Sequence, residues 1–221
     1  FKKMLTPVIP YSIKGAIWYQ GESNVDNNYE YQELFTGMIE DWRENWGYDF
    51  SFYYAQIAPF EYTPSQESHK LREAQRKTLK TTSKTGMAVL IDIGEEGDIH
   101  PHNKKDVGKR LALLALNKDY EFDILSSGPL YKSIEIFKNY IEIDFESKGS
   151  GLMSNGVLKD FEIAGDDMVY KTAEAEIVNN KIRASSSKVK YPKHVRYGWK
   201  NWTVGTLFNK EGLPASSFSS N

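Results

Sequence analysis

Three short apolar runs alternate with three helix-like segments over residues 1–127, and this alternation most constrains the fold. The runs are "IKGAIWYQ", "FSFYYAQIAP" and "GMAVLIDIG". Each is nearly continuous in apolar or aromatic residues, so we expect strands that are buried on both faces. The sequence therefore predicts an α/β fold with a parallel sheet covered by helices.

The segments between these runs have helical periodicity. The first predicts a helix from about Tyr29 to Trp46, with a buried side formed by Leu34, Phe35, Met38, Ile39, Trp42 and Trp46. The stretch "ESHKLREAQRKTLK" predicts a more polar second helix, in which we expect His69 at the surface. A third helix, "NKKDVGKRLALLALNK", begins after Asn103 as N-cap and buries Val107, Leu111, Leu114 and Ala115.

After residue 127 the pattern changes to short alternating strands separated by turns. Six stretches show it: "KSIEIF", "NYIEIDF", "GVLKDFEIAG", "AEAEIVNN", "KIRASSS" and "HVRYGW". Asn139 and the pair Asn179 and Asn180 are expected in hairpin turns, and His194 at the surface of a strand. We therefore divide the chain into an α/β domain at 1–127 and a β-rich domain at 128–221.

Composition excludes several classes of function. The net charge is −2 over 221 residues with both signs mixed, so the chain lacks the basic stripe that nucleic acid would require. No apolar run is long enough for a membrane span, so we expect no membrane partner either. The absence of cysteine excludes disulfides and thiolate zinc sites.

The loop "DIGEEGDIHPH" contains the side chains best suited to catalysis, Asp98, His100 and His102. Pro101 favours an extended backbone at His100, so Asp98 and His100 can share one face. A histidine with an acid partner can take a proton from a hydroxyl nucleophile. Two other interpretations stay open: hydrogen bonding within a loop, or metal binding by these three residues completed by Glu95 or Glu96.

The loop "YQGESN" follows the first strand and raises the question of whether Ser23 is a nucleophile. The nucleophile elbow reads Gly-x-Ser-x-Gly, and Val25 stands where its second glycine should be. The loop instead offers Gln20, Gly21 and Asn24 as donors beside Glu22. Such groups suit oxyanion binding and substrate positioning better than nucleophilic attack.

Several motifs, in order along the chain, together resemble the sialate O-acetylesterase family of SGNH-type hydrolases. They are "GAIWYQGESN", "LREAQ", "GMAVLIDIG", "DIHPHNKKDVGKRLALLAL", "VRYGW" and "LFNKEGLPASSF". The resemblance implies hydrolysis of acetyl esters on sugars, such as O-acetylated sialic acids or acetylated plant glycans. It also implies a metal-independent Ser-His-acid mechanism without cofactors, a flavodoxin-like sheet and a small C-terminal β-sandwich-like domain.

The resemblance also assigns roles to particular residues. His100 matches the catalytic histidine, Asp98 is its acid partner, and Gln20, Gly21, Glu22 and Asn24 match a segment that lines the site. Related hydrolases often place the acid three residues before the histidine, where Gly97 stands here, so Glu95 and Glu96 are fallback acids.

The family's nucleophilic serine lies in a Gly-Gln-Ser-Asn type motif that does not occur in these 221 residues. The chain therefore resembles the C-terminal portion of a longer esterase, with a sheet incomplete on its N-terminal side. We expect the chain alone to be inactive and an edge or face of its sheet to be exposed. The N-terminal part of the same protein is then its expected partner, beside an acetylated carbohydrate substrate.

A glycan-binding protein without catalysis is the competing interpretation. Aromatic residues of the β unit could stack on sugar faces: Tyr191, Tyr197, Trp199 and Trp202. The intact "DIHP" loop favours the esterase, because a binding module has no physical need for it. Family habit places such enzymes in the periplasm or outside the cell.

Overall fold

The N-terminal part is a three-stranded parallel sheet flanked by helices. The computed structural model describes residues 3–9 and 11–221. The strands are β1 (Gly15–Trp18), β2 (Ser51–Ala55) and β3 (Thr85–Ala88), in the order β1-β2-β3. Both pairings are parallel, which confirms the predicted α/β organisation.

Three helices cover the two faces of this sheet: α1 (Asn28–Trp46), α2 (Ser68–Thr81) and α3 (Lys104–Lys118). Alternate residues of a strand point to opposite faces. Phe52 and Tyr54 accordingly belong to the core formed with α1 and α2. Tyr53 and Ala55 belong to a second core formed with α3. Asn103 accepts a hydrogen bond from the backbone N–H of Asp106, as predicted for its N-cap.

Strand β1 departs from the prediction that all three strands are buried on both faces. Ile17 is 71% exposed, because α3 packs over β2 and β3 and leaves this face of β1 open. Within residues 3–9 and 11–221, β1 pairs with β2 alone. The exposed edge expected for an incomplete sheet is therefore present.

Helix α1 matches its predicted bounds closely, but its buried side is rotated from the predicted one. Leu34 is 60% exposed, whereas Tyr31, Phe35, Ile39 and Arg43 are buried. These four recur every fourth residue and form one stripe along the helix. Arg43 ends this stripe by donating to the backbone carbonyl of Phe50.

The C-terminal part contains ten strands. They are β4 (Leu130–Ile136), β5 (Tyr140–Glu146), β6 (Leu152–Ser154), β7 (Phe161–Ala164), β8 (Lys171–Thr172), β9 (Glu174–Val178), β10 (Lys181–Ser185), β11 (His194–Tyr197), β12 (Leu207–Asn209) and β13 (Phe218–Ser219). They form antiparallel sheets in the orders β4-β5-β10-β9, β13-β11-β7-β8 and β12-β6. Asn179 and Asn180 both have positive φ in the β9–β10 hairpin, as predicted.

A buried arginine joins the two parts of the chain. Arg72 of α2 is fully buried, and it donates to the carbonyls of Gly198 and Lys200 and to the hydroxyl of Ser217. Burial lowers the pKa of Arg72 to about 10. Among the described residues no carboxylate pairs with this guanidinium, so backbone and hydroxyl oxygens alone offset its charge.

His69 also differs from its predicted place at the surface. Its side chain is only 14% exposed, and its ring packs against that of Trp199 with centroids 5.1 Å apart. Burial, with the nearby positive charge of Arg72 next, lowers the pKa of His69 to about 4. His194, the other histidine predicted at the surface, is half-buried. No helix in the described ranges is long and apolar enough to cross a membrane.

Candidate active site

The loop after β1 is held in shape by hydrogen bonds to its own backbone and amides. Gln20 Nε2 donates to Asn24 Oδ1 at 2.7 Å, and Asn24 N donates to the carbonyl of Gly21 at 2.8 Å. The Tyr31 hydroxyl donates to the carbonyl of Gln20 at 3.1 Å. Because Asn24 accepts through Oδ1, its Nδ2 hydrogens remain free to donate to an anionic oxygen.

Gln75 of α2 supports this loop from below, a role that the sequence did not indicate. Its Nε2 lies 3.4 Å from the carbonyl of Gln20, and its Oε1 accepts from Ile57 N at 2.9 Å. Gly21 packs closely here, since a β-carbon at this position would lie 2.8 Å from Ile57 Cγ2. A completely buried amide thus fixes the loop that carries the predicted oxyanion donors.

Ser23 and Glu22 lie at the start of a short 3-10 helix, Glu22–Asn27, that continues this loop. Ser23 is exposed, and in the described part of the chain no serine hydroxyl is hydrogen-bonded to a histidine. Glu22 is half-buried, and its charge adds to burial in raising the pKa of Tyr19 to about 12. Ser23 therefore lacks the base that would activate it.

The loop after β3 is anchored at its base and at Gly94. Arg110 of α3 pairs with Asp92 through two hydrogen bonds of 2.7 and 2.6 Å. Gly94 packs against Pro59, and a β-carbon here would overlap the Pro59 carbonyl oxygen. The loop between β2 and α2 therefore supports the segment that carries the histidines.

The structure brings Asp98 and His100 together, but through the backbone. Asp98 Oδ1 accepts from His100 N at 2.8 Å, whereas His100 Nδ1 lies 4.0 Å from the same oxygen. The His100 side chain is 86% exposed, so its ring is free to rotate. Hydrogen bonds between catalytic groups are often long before substrate is bound, so this distance is compatible with the predicted pair.

Glu95 and His102 form the closest imidazole–carboxylate pair in the loop. Glu95 accepts from His102 N at 2.7 Å, and its two oxygens lie 3.0 and 2.9 Å from His102 Nδ1. The backbone hydrogen bond from His102 is the largest cause that lowers the pKa of Glu95. The side-chain hydrogen bond to Glu95 in turn raises the pKa of His102. The sequence named both residues but did not pair them.

Glu95, Asp98 and His102 also form the one cluster of potential metal ligands among the described residues. One ligand atom from each lies within 4.8 Å of the others. His100, which the metal interpretation included, is outside this group. Glu95 and Asp98 are half-buried and His102 is exposed, and His102 Nδ1 already uses the Glu95 oxygens. The cluster is therefore a poor match for a closed site with four protein ligands.

A cation–π contact joins the loop after β1 to the start of α3. Lys104, in the first turn of α3, lies 5.0 Å from the ring centroid of Tyr19, which precedes Gln20. The segment after β2 contacts the loop after β3, because Glu61 N donates to the carbonyl of Glu96. The segments that follow β1, β2 and β3 thus meet at the carboxyl edge of the sheet, where open α/β sheets bind their ligands.

Comparison with known proteins identifies the family. Residues 2–117 match the family described as carbohydrate esterase, sialic acid-specific acetylesterase. The chain belongs to this family. A solved structure, a carbohydrate acetylesterase from Xanthomonas citri, superposes with a TM-score of 0.93 at 37% identity, covering 99% of this chain and 52% of that one. The sequence resemblance to this esterase family is therefore confirmed.

Curated relatives of this esterase-family chain are sialate O-acetylesterases. The Mus musculus protein is 32% identical over 154 residues, covering 60% of this chain and 28% of the relative. The Homo sapiens protein is 26% identical over 228 residues, covering 90% of this chain and 43% of the relative. The chain thus spans about half, or less, of the length of these relatives.

Proposed function

We propose that this chain supplies the histidine, its acid partner and the oxyanion-binding loop of an esterase that removes O-acetyl groups from sugars. The substrate is an O-acetylated sialic acid or an acetylated glycan. The meeting of the loops after β1 and β3 at one edge of the sheet carries this proposal. In it, residues 1–127 are part of a flavodoxin-like SGNH domain, and 128–221 form a β-sandwich-like domain.

The mechanism is acyl transfer of the Ser-His-Asp type. A serine hydroxyl attacks the acetyl carbonyl while His100 takes its proton, and Asp98 stabilises the imidazolium. The carbonyl oxygen becomes an oxyanion and accepts hydrogen bonds from the loop that contains Gln20, Gly21 and Asn24. His100 then returns the proton to the sugar oxygen as it leaves, and a water molecule releases acetate by the same steps.

The serine comes from outside these 221 residues, on a segment that would extend the sheet beyond β1. The free edge of β1 supports this arrangement, since an added parallel strand would pair with it, and the helix of the crossover connection would cover Ile17. The chain alone is then inactive. The complete enzyme acts in the periplasm or outside the cell.

Acetate release from a generic acetyl ester tests the proposal. We would compare the chain alone with a form extended upstream to include the Gly-Gln-Ser-Asn type motif. We expect turnover only in the extended form, and its loss when that serine is changed to alanine. Turnover by the chain alone would contradict the missing-nucleophile part, and turnover by neither form would contradict the esterase assignment.

A further inference from the structure

A groove lies where α1, α2 and the C-terminal strands meet. Tyr29 and Gln32 line it from α1, Lys70 and Lys77 from α2, and Trp199 from the segment between β11 and β12. Its volume is about 300 Å³, at the lower end of the range for small-ligand sites. It shares no residue with the loops that follow β1 and β3.

The accessible charges of this groove are positive. Its one acidic side chain, Glu73, is buried and binds Arg76 through hydrogen bonds of 2.8 and 2.6 Å. Lys77 Nζ is 3.7 Å from Glu73, too far for a strong hydrogen bond, and its side chain is 45% exposed. Lys70 pairs with Glu67 but is 47% exposed, and such surface pairs are weak enough to exchange partners.

Two aromatic rings add an apolar surface beside these charges. Trp199 packs on the largely buried ring of His69, with centroids 5.1 Å apart, and this contact favours one orientation of its ring. Tyr29 is 75% exposed and stands on the opposite side, on α1. Aromatic rings next to amides and cations provide stacking surface, hydrogen bonds and charge within one small site.

We propose that this groove binds a carboxylate-bearing sugar at a second site, separate from the site of hydrolysis. The sugar carboxylate contacts Lys77 and Lys70, the apolar face of the ring stacks on Trp199, and the Gln32 amide meets its hydroxyls. This inference goes beyond the proposed function, because binding here needs neither the nucleophile nor His100.

Nuclear magnetic resonance titration of the ¹⁵N-labelled chain with N-acetylneuraminic acid tests the inference, with the methyl ester of this sugar as the uncharged ligand. We expect saturable shifts at the Trp199 indole and in α2, and weaker binding of the ester. Loss of one exposed ion pair should weaken binding by about two- to fivefold in Lys77→Gln and in Lys70→Gln. Lys80→Gln, on the same helix but outside the groove, should bind as the parent does.

The inference is overturned by absence of saturable binding, equal binding of acid and ester, or equal weakening in Lys80→Gln and Lys77→Gln. Shifts confined to the loop of His100 would also overturn it, since they would place the sugar at the candidate active site. All variants are at exposed positions, and circular dichroism checks that they fold. Because the readout is binding and not acetate release, the result is independent of the acetate-release experiment.

Discussion

Glu95 holds His102 twice, through the backbone N–H at 2.7 Å and through ring Nδ1 at 2.9 Å. Because the pKa of His102 is raised, its pairing with Glu95 stabilises the fold fully below pH 6.5, the ordinary pKa of an imidazole. This stabilisation is lost as the pH rises through the raised pKa. Because the pKa of Glu95 is lowered, its contribution to stability is fully present above pH 4.5, the ordinary pKa of this carboxyl group, and is lost as the pH falls through the lowered pKa. Both contributions are therefore fully present between pH 4.5 and pH 6.5.

Changing Glu95 to Gln should lower the pKa of His102 towards 6.5, because the carboxylate that stabilises the imidazolium is gone. A pH titration of the histidine ring protons by nuclear magnetic resonance measures this. Glu96→Gln, at the neighbouring exposed residue, is the matched control and should leave the pKa of His102 unchanged. Identical titration of His102 in all three proteins would show that the pair does not form in solution.

The contact of Gly94 with Pro59 predicts a local sensitivity to side-chain size. Gly94→Ala should lower the free energy of unfolding by about 2 kcal/mol, since its methyl group overlaps a backbone carbonyl that cannot move freely. In Gly97→Ala, in the same loop, the added methyl group meets no atom within 4 Å, so the free energy of unfolding should change by less than about 0.5 kcal/mol. Urea denaturation compares the two, and equal effects would contradict the packing described.

Gln75 should be essential to the shape of the loop after β1. Gln75→Leu leaves Ile57 N and the carbonyl of Gln20 without this partner, which should cost about 2 kcal/mol of unfolding free energy. Amide exchange at Ile57 should also become faster. Gln66→Leu is the control, since Gln66 is half-buried and its side chain bonds only Thr63 and Asp26, at the surface. If it destabilised the chain as much, the support from Gln75 would not be specific.

Histidine mutations in the complete enzyme show which imidazole–carboxylate pair is catalytic, Asp98–His100 or Glu95–His102. If His100 is the general base, His100→Ala should lower kcat/KM about 10²- to 10⁴-fold, the usual contribution of proton transfer. His102→Ala should cost far less, because the ring of His102 then only helps to shape the loop. The opposite ranking would transfer the catalytic role to the Glu95–His102 pair.

Local patterns predicted much of the fold. Helix α1 starts within one residue of its predicted position, and the Asn179–Asn180 turn lies where its left-handed preference placed it. The exposure of Ile17 and Leu34 could not be read from hydrophobicity, because it depends on which elements lie next to β1 and α1. Tyr197, suggested as a sugar-stacking ring, is in the core for the same reason.

The sequence predicted which loops and residue types form the candidate site, but not which side chains pair within it. The segments that follow β1 and β3 lie at the same edge of the sheet, where Lys104 contacts Tyr19, as expected for the carboxyl ends of parallel strands. The pairing of Glu95 with His102 spans seven residues, in a loop that also contains an isolated backbone bridge between Glu95 and Asp98. Gln75 is 55 residues from Gln20, and no periodic signal in a sequence marks such a contact.

The acceptors of Arg72 have a consequence for the order in which the chain matures during synthesis. Helix α2 leaves the ribosome long before Gly198, Lys200 and Ser217, which lie 126 to 145 residues later. Until then the guanidinium has only water and the Ser68 hydroxyl of its own helix to solvate it, so we expect the helix not to dock in its final position. Ribosome-bound chains that stop before Gly198 should therefore be cleaved readily by protease in α2, and longer ones should become resistant.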